Sequence, residues 1–300
     1  MCRREIEGTF AICSIPMKFK LSRVAGFIFI LILFEGCSFT ASYYTPRKDC
    51  VDCVLPSKDS TSKYLFEDFY FKNKEGKSLH AYFFKPPLGK PVAATIVYFH
   101  GNSGNIEVLY TLMRPLIDEG FQILMFDYSG YGKSEGEFSR EQVFNDGVVA
   151  LEYAHSRPDV QGTKVVLYGQ SLGGHLAASV AGKRPDLIDA LVDEGGFSSH
   201  GDIAAYYTRI KTHNTMGWSA HLLVREVYNA KHLIKKFHKP VLIIHSTEDV
   251  VVPFYMGKRI YKKANSPKEF YEIKGRHVRG PLLYKKEIAD KIKNMLTLQK

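Results

Sequence analysis

The chain contains 300 residues, of which 45% are hydrophobic and 24% charged, so it is long enough to bury a large globular core. The net charge of +10 favours binding to anionic surfaces. However, many lysines recur at helical spacing, which indicates a solvent-exposed helix face, and no nucleic-acid-binding motif is present, so no nucleic-acid partner is predicted. All five cysteines lie at or before Cys53, which excludes thiol chemistry in the remainder. The C-x-x-C at residues 50–53 has no second pair at zinc spacing, so no metal site is predicted.

Residues 17–34 have the pattern of an export signal. Basic residues follow Met17, and an apolar run from Val24 to Phe34 comes next, which is too short to span a bilayer comfortably. The pattern also makes Met17 a hypothetical start of the protein, in place of Met1, with residues 1–16 an over-extended reading frame.

The residues after this apolar run resemble the lipobox of bacterial lipoproteins, in which a small residue precedes the cysteine that becomes acylated. Gly36 and Cys37 fit the pattern, whereas Phe34 and Glu35 depart from it. The resemblance implies lipidation of Cys37, membrane association through the N-terminal segment and a domain outside the cytoplasm. A plainly cleaved signal and an uncleaved anchor are the alternatives. Residues 1–37 are therefore predicted to be an extension with a lipoprotein-like signal.

Residues 38–62 are rich in Ser, Thr, Tyr and Pro without periodicity and predict a linker, so the folded domain is expected over residues 63–300. Within it, apolar and β-branched runs predict strands and longer periodic runs predict helices. In chain order we expect strands at 65–71, 78–85 and 94–99, a helix at 106–119, a strand at 121–126, a helix at 140–156, a strand at 165–168 and a helix after residue 171. These are followed by a strand at 187–192, an irregular and partly helical section at 195–238, a strand at 241–245, a helix at 253–263, a strand at 269–273 and a helix at 282–298. This alternation predicts an α/β fold with a mostly parallel sheet covered by helices on both faces.

A G-x-S-x-G pentapeptide at residues 169–173 lies between a predicted strand and a predicted helix. A sharp turn there forces Ser171 into an unfavourable backbone conformation, which the glycines at 169 and 173 permit sterically, and projects its hydroxyl clear of the sheet edge. The pentapeptide also occurs by chance in glycine-rich loops, but the strand and helix around it favour function. Ser171 is therefore the candidate nucleophile.

A serine nucleophile needs a general base and a carboxylate that orients the base. His277 follows the last predicted strand on a short loop, and Glu248 and Asp249 both follow the strand before it. The carboxyl ends of these strands share one sheet edge with Ser171 and with the polar residues His100 and Asp127, which also follow strands. His277 is thus the candidate base, with an acid from either residue 248 or residue 249.

Two backbone N–H groups are placed to bind a developing oxyanion. One belongs to Leu172, at the start of the nucleophile helix, and the other to Asn102, in the loop after the strand at 94–99. This glycine-rich loop lacks the Gly-Lys-Ser/Thr ending of a phosphate-binding P-loop.

From about Lys63 to its end the chain resembles the serine α/β-hydrolases, in particular small, nearly lidless members such as the Bem46 proteins, α/β-hydrolase-domain-containing protein 13 and the depalmitoylases of the domain-containing-17 group. The motifs that carry the resemblance lie at residues 100–105, 127–134, 169–174, 245–253 and 275–277. The resemblance implies Asp249 as the acid, from its spacing to residues 252–253, with Glu248 as the alternative. It implies hydrolysis of small-molecule acyl esters or thioesters without a cofactor. The stretch 193–199 departs from the subgroup's pattern, which bears on the shape of the acyl pocket.

Residues 201–237 occupy the position of the lid in this family and are few, so a short or absent lid and an open groove are expected. Five large apolar side chains in this segment either line the groove or pack on the sheet: Tyr206, Tyr207, Met216, Trp218 and Leu222. Two rival functions are a peptidase or amidase of the same fold and a non-catalytic, membrane-anchored binding protein.

Overall fold

The computed structural model describes Pro46 and residues 64–297. The predicted signal segment, Cys37, the cysteines at 50 and 53 and the rest of the predicted linker lie outside the described residues. No helix within residues 64–297 combines the length and apolar character that crossing a bilayer requires.

Eight strands of the described part form one sheet. They are β1 (Phe66–Lys72), β2 (Ser78–Phe84), β3 (Ala94–Phe99), β4 (Phe121–Phe126), β5 (Val165–Gln170), β6 (Ala190–Glu194), β7 (Val241–Ser246) and β8 (Lys268–Ile273). Their order across the sheet is β1-β2-β4-β3-β5-β6-β7-β8. The pairs β1/β2 and β2/β4 are antiparallel and every other pair is parallel, which confirms the mostly parallel sheet.

The described helices follow the strands in alternation. They are α1 (Ile106–Asp118), α2 (Arg140–Ser156), α3 (Leu172–Lys183), α4 (His200–Lys211), α5 (Ala220–Leu223), α6 (Ala230–Leu233), α7 (Phe254–Lys263), α8 (Gly280–Leu283) and α9 (Lys285–Thr297). Within residues 64–297, three short 3-10 turns occupy Pro185–Leu187, Gly217–Ser219 and Ile234–Lys236.

The core lies in two layers, one on each face of the sheet. In β3, Ile96 and Tyr98 face a layer formed with α1 and α9, whereas Val97 and Phe99 face a layer formed with α2, α3 and α7. Because successive side chains of a strand point to opposite faces, one buried strand feeds both layers. The α/β-hydrolase fold with helices on both faces is therefore confirmed.

One strand differs from its prediction by three residues at its start, whereas the others agree within two residues at either end. β6 begins at Ala190 rather than at residue 187, because Pro185–Leu187 forms a 3-10 turn in which proline has no N–H for a sheet ladder. At its other end β6 continues through Asp193 and Glu194, both of which are buried. The predicted end at residue 192 fell short of these two carboxylates, which are of a kind rarely buried side by side in a core.

Candidate active site

The turn from β5 into α3 holds Ser171 in a strained conformation. Its φ of 59° and ψ of −116° lie in a region that side-chain-bearing residues rarely adopt. The Ser171 side chain makes no capping hydrogen bond at the start of α3, and its backbone N–H donates to the carbonyl oxygen of Glu194 over 2.9 Å. The hydroxyl is therefore not used to stabilise the helix, while the backbone of the turn is tied to the end of β6.

Glycines allow the backbone to pass closely around this turn. A Cβ atom on Gly169 would lie 2.1 Å from the carbonyl oxygen of Gly173, and one on Gly173 would lie 1.9 Å from the carbonyl oxygen of Phe99. Contacts this short are impossible, so α3 approaches β3 and β5 only because these positions lack side chains.

The loops after β7 and β8 bring Asp249 and His277 together. The Nδ1 atom of His277 lies 2.6 Å from Oδ2 of Asp249, whose side chain is 1% exposed. The other carboxylate oxygen, Oδ1, accepts hydrogen bonds from the backbone N–H groups of Val251 and Val252, each over 2.9 Å. Burial alone would raise the pKa of Asp249, but these hydrogen bonds and the nearby imidazole outweigh it and lower the pKa below its ordinary value. Asp249 is therefore ionised, and His277 donates through Nδ1.

Glu248, the alternative acid, makes a different contact. Its Oε2 atom accepts a hydrogen bond from the backbone N–H of Gly275 over 2.9 Å, and its side chain is exposed. The structure therefore pairs His277 with Asp249 and uses Glu248 to hold the loop that carries His277.

The imidazole of His277 lies beside the end of β6 that binds Ser171. A Cβ atom on Gly195 would lie 3.2 Å from Cε1 of His277, and Gly195 directly follows Glu194, whose carbonyl oxygen accepts from the N–H of Ser171. The Nε2 atom of His277 is buried and makes no hydrogen bond to any residue in the described part of the chain. A nitrogen left open on this side of the ring suits a base that accepts a proton from a hydroxyl during reaction.

The two predicted oxyanion donors flank the same turn. Leu172 is the first residue of α3, so its N–H has no acceptor within the helix and lies at the positive end of the helix dipole. Asn102 lies in the loop after β3, which runs against the nucleophile turn, since a Cβ atom on Gly101 would lie 3.5 Å from Cβ of Ser171. The hydroxyl of Tyr131 donates to Oδ1 of Asn102 over 3.0 Å and holds this loop in place.

His100 and Asp127 are fully buried, and their side chains contact each other and the loops around the site. Oδ1 of Asp127 accepts from the backbone N–H of Ile106 over 2.9 Å, at the start of α1, and lies 3.5 Å from Nε2 of His100. Burial lowers the pKa of His100 and favours its neutral form. His80 is a third member of this buried group, which the sequence did not single out. Its Nδ1 atom lies 3.6 Å from Oδ2 of Asp127, and its Nε2 atom lies 2.8 Å from Oδ1 of Asp68. These residues fix the loops around the site.

Glu194 is a buried residue next to the site that sequence analysis missed. Its Oε2 atom accepts hydrogen bonds from the hydroxyl of Tyr168 over 2.8 Å and from the side-chain amide of Gln170 over 2.7 Å. Its Oε1 atom accepts from the backbone N–H of Gly280 over 2.7 Å, three residues after His277. One carboxyl group thus joins the nucleophile strand to the loop that carries the histidine. The only signal in the sequence was an acidic pair at the end of an apolar strand.

Asp193, its neighbour, is also fully buried. Burial raises the pKa of Asp193 to about 7, although a hydrogen bond from the backbone N–H of Gly196 over 2.9 Å opposes the rise. Its Oδ2 atom has no hydrogen-bond partner among the described residues. Asp193 therefore changes protonation near neutral pH in the folded protein.

The segment after β6, residues 200–237, is here called the cap. The hydroxyl groups of Tyr206 and Tyr207 donate to the carbonyl oxygens of Val250 and Val251, over 3.4 and 2.9 Å, and so attach helix α4 to the loop that follows Asp249. The other three predicted lining residues, Met216, Trp218 and Leu222, are exposed. They are therefore not packed into the core of the sheet.

Within residues 64–297, no group of three or more His, Cys, Asp or Glu side chains is arranged to hold a metal ion. The arrangement at the carboxyl edge of the sheet consists of a strained serine, a histidine bound to a buried carboxylate and two backbone N–H groups.

Comparison with known proteins identifies the family. Residues 109–276, more than half of the chain, match the prolyl oligopeptidase family. The α/β hydrolase domain-containing protein WAV2 of Arabidopsis thaliana is 30% identical over 230 residues, which are 74% of this chain and 74% of that protein. Protein bem46 of Schizosaccharomyces pombe is 30% identical over 191 residues, which are 63% of this chain and 62% of that protein. The chain belongs to the prolyl oligopeptidase family of α/β-hydrolases and is of the Bem46 type.

The chain is also similar to a bacterial protein and to solved structures. The uncharacterized protein YfhR of Salmonella typhi is 34% identical over 267 residues, covering 82% of this chain and 85% of that protein. The Pyrococcus furiosus esterase Pf2001 superposes with a TM-score of 0.68 at 16% identity, covering 85% of this chain and 97% of the esterase. Est1E from Butyrivibrio proteoclasticus, solved with ferulic acid, gives 0.59 at 20% identity and covers 77% and 98%. At these identities the solved structures show the fold alone.

Proposed function

We propose that this hydrolase cleaves carboxylic acyl esters or thioesters through an acyl-enzyme formed on Ser171. The observation that carries the proposal is the 2.6 Å contact between His277 and the buried Asp249, beside a serine held in a strained turn. The superposed structures include an esterase, which favours an ester as the substrate.

In the first half of the reaction, Oγ of Ser171 attacks the substrate carbonyl carbon while Nε2 of His277 takes the hydroxyl proton. Asp249 holds the Nδ1 proton and stabilises the imidazolium that forms. The N–H groups of Leu172 and Asn102 bind the carbonyl oxygen as it becomes negative. His277 then gives its proton to the departing alcohol or thiol, and the acyl group stays on Ser171.

In the second half, water replaces the leaving group. His277 takes a proton from the water as its oxygen attacks the acyl carbon, and the same two N–H groups bind the second oxyanion. Collapse of this intermediate returns the proton to Oγ of Ser171 and releases the carboxylic acid.

The test is covalent labelling of the full chain with a fluorophosphonate probe, followed by turnover of a short-chain p-nitrophenyl ester. Labelling and turnover are expected for the wild type and lost in Ser171→Ala and His277→Ala. The matched controls are Ser156→Ala, at the exposed end of α2, and His238→Ala, an exposed histidine before β7, which should behave as the wild type. A folded wild-type chain that neither labels nor turns over would refute the mechanism and favour a non-catalytic binding protein.

A peptidase or amidase is the second candidate, because the matching family is named for prolyl oligopeptidase. The same residues would serve, with an amine as the leaving group. A matched pair of substrates with the same acyl group, one an ester and one an anilide, separates the two. Hydrolysis of the anilide at a rate similar to the ester would favour the peptidase.

We further propose that Cys37 is lipidated and tethers the domain to a membrane outside the cytoplasm. The support is the Gly36-Cys37 pair directly after an apolar run that follows basic residues. Expression in a bacterial host with a clickable palmitate analogue should label the wild type and Cys50→Ser but not Cys37→Ser. Equal labelling of the Cys37→Ser variant would refute the assignment.

A further inference from the structure

The cap carries a cluster of exposed apolar side chains, here called the cap patch: Ile210, Met216, Trp218, Leu222 and Leu223. The side chains of Trp218 and Leu222 are 62% and 77% exposed. The three elements that contribute them, α4, the 3-10 turn at 217–219 and α5, pack against one another. Scattered surface leucines need no explanation, but a contiguous group of large apolar side chains marks a surface that binds something apolar.

The cap patch lies on the same side of the molecule as the candidate active site. The cap begins directly after β6, at the edge where Ser171 lies, and α4 is bound through Tyr206 and Tyr207 to the loop that follows Asp249. In that loop Val250 is 80% exposed and continues the apolar surface towards the site. A molecule that covers the cap patch therefore also reaches the entrance to the groove.

The charged residues of the segment that carries the cap patch have one sign. Residues 203–225 include Arg209, Lys211 and Arg225 but no Asp or Glu. All three basic residues are exposed.

The nearest acids on either side are engaged within the protein. Asp202 is buried and pairs with Lys231 at 2.9 Å and Arg259 at 3.1 Å. Burial alone would raise the pKa of Glu226, but the imidazole of His200, 3.4 Å from Oε2, and the backbone N–H of Gly201, which donates over 2.7 Å, hold it low, at about 2. The surface is thus apolar at its centre and mainly positively charged around it, with Glu141, 4.0 Å from Arg225, as an exposed acid at its edge.

We propose that the cap patch docks the domain on an anionic phospholipid bilayer, with Trp218 and Leu222 among the acyl chains and the basic residues at the phosphates. A tryptophan beside aliphatic residues, with cations around them, is the composition of segments that lie in a membrane interface. A mainly positive rim complements a negatively charged bilayer surface. Docking in this orientation would present the groove to esters within the bilayer, a consequence that rests on the proposed hydrolase function.

Trp218 is the single tryptophan of the chain, so its fluorescence reports on the cap patch alone. The full chain is reconstituted with vesicles of phosphatidylcholine alone or of an equal mixture of phosphatidylcholine and phosphatidylglycerol. With the anionic vesicles, the emission should shift to shorter wavelength and brominated acyl chains should quench it. With phosphatidylcholine alone, the emission should neither shift nor be quenched. The N-terminal segment is present in both samples, so it cannot account for the difference.

Variants separate the cap patch from other surfaces. Leu222→Glu should abolish the shift, whereas Leu88→Glu, at an equally exposed leucine in the loop between β2 and β3, should leave it unchanged. Arg225→Gln should weaken the fluorescence-detected partitioning about fivefold, since a basic residue near an anionic surface contributes about 1 kcal/mol. Its side chain is 87% exposed, so the fold should not be affected.

Unchanged emission with anionic vesicles, or a shift that Leu222→Glu retains, would overturn the proposal. A shift produced by an acidic protein in the absence of lipid, with none from vesicles, would replace the bilayer with a protein partner. Probe labelling of Ser171 is measured on the same samples. A Trp218 shift without labelling would refute the hydrolase and leave docking in place, and labelling without a shift would refute docking alone.

Discussion

Backbone strain at Ser171 predicts that replacing it with glycine makes the protein more stable than replacing it with alanine. A φ of 59° with a ψ of −116° costs a side-chain-bearing residue about 1–3 kcal/mol, and glycine avoids this cost. Glycine in turn loses about 0.5–1 kcal/mol because it makes the unfolded chain more flexible. Since the serine hydroxyl makes no capping bond, alanine at this position should be close to the wild type. The Ser171→Gly variant should therefore exceed Ser171→Ala by roughly 0.5–2 kcal/mol.

The measurement is urea and thermal unfolding of both variants, each of which should also fail to turn over ester. For a domain of this size, 1 kcal/mol corresponds to a midpoint shift of about 2–4 °C. The matched pair is Ser156→Gly and Ser156→Ala at the last residue of α2, where the backbone is helical and alanine should be the more stable by about 0.5–1 kcal/mol. If the glycine variant at 171 were no more stable than the alanine variant, the serine would not be strained in solution.

Three further substitutions test the environment of the site. Burial raises the pKa of Asp193 to about 7, so between about pH 4 and pH 7 the folded protein keeps a proton that the unfolded chain has released. The free energy of unfolding of the wild type therefore falls as pH rises through this range. Asp193→Asn should therefore gain on the wild type between pH 5 and pH 8, by at most about 1.4 kcal/mol per pH unit, in urea unfolding. Gly173→Ala places a Cβ atom 1.9 Å from the carbonyl oxygen of Phe99 and should cost at least about 3 kcal/mol by the same assay. In Glu194→Gln, the side-chain NH2 group must face either the backbone N–H of Gly280 or the side-chain amide of Gln170, both of which donate to Glu194 in the wild type. One hydrogen bond is therefore lost in either orientation, so stability should fall by about 1–3 kcal/mol and kcat should fall with it.

Each of these has a control. Asp186→Asn removes an exposed carboxylate whose pKa is lowered by its hydrogen bond to Arg184, so its difference from the wild type should be constant from pH 5 to pH 8. If the difference in stability between Asp193→Asn and the wild type were equally constant over this range, Asp193 would not keep a proton in the folded protein. Gly76→Ala, with open space around it and a φ of +75°, should cost only about 1 kcal/mol, and an equal cost at residue 173 would refute the close helix approach. Glu248→Gln should change stability by less than about 0.5 kcal/mol, and a similarly small effect at residue 194 would refute its bridging role.

The fold could be predicted because its elements are strongly patterned. β3 and β4 are continuous apolar runs, and the structure places them over the predicted residues, Ala94–Phe99 and Phe121–Phe126. The turn glycines of the G-x-S-x-G motif likewise have a steric reason that is visible in the sequence. The predicted start of β6 was three residues too early, because the apolar run continues back to Leu187 whereas residues 185–187 form a 3-10 turn.

Contacts between residues distant in sequence could not be predicted in the same way. Nothing in the sequence connects Glu194 with Gly280, which lie 86 positions apart and meet only when β6 and the histidine loop converge. The choice between Glu248 and Asp249 also needed the fold, because both follow β7 and only the loop geometry decides which carboxylate contacts His277 and which contacts Gly275. The exposure of Trp218 was open for a related reason, since a tryptophan in an irregular segment is compatible with a core or a surface position.

The unfavourable features of the domain meet where the proposed chemistry occurs. Ser171 is strained, Oδ2 of Asp193 and Nε2 of His277 are buried without partners among the described residues, and all three lie at the carboxyl ends of β5, β6 and β8. Sequences selected only for folding would relax such features, and their concentration at one edge is expected where geometry serves function. Glu194 compensates for part of the cost, because its three hydrogen bonds tie β5 to the histidine loop. Loss of these bonds should therefore reduce activity and stability together, whereas glycine at residue 171 should abolish activity while stability rises.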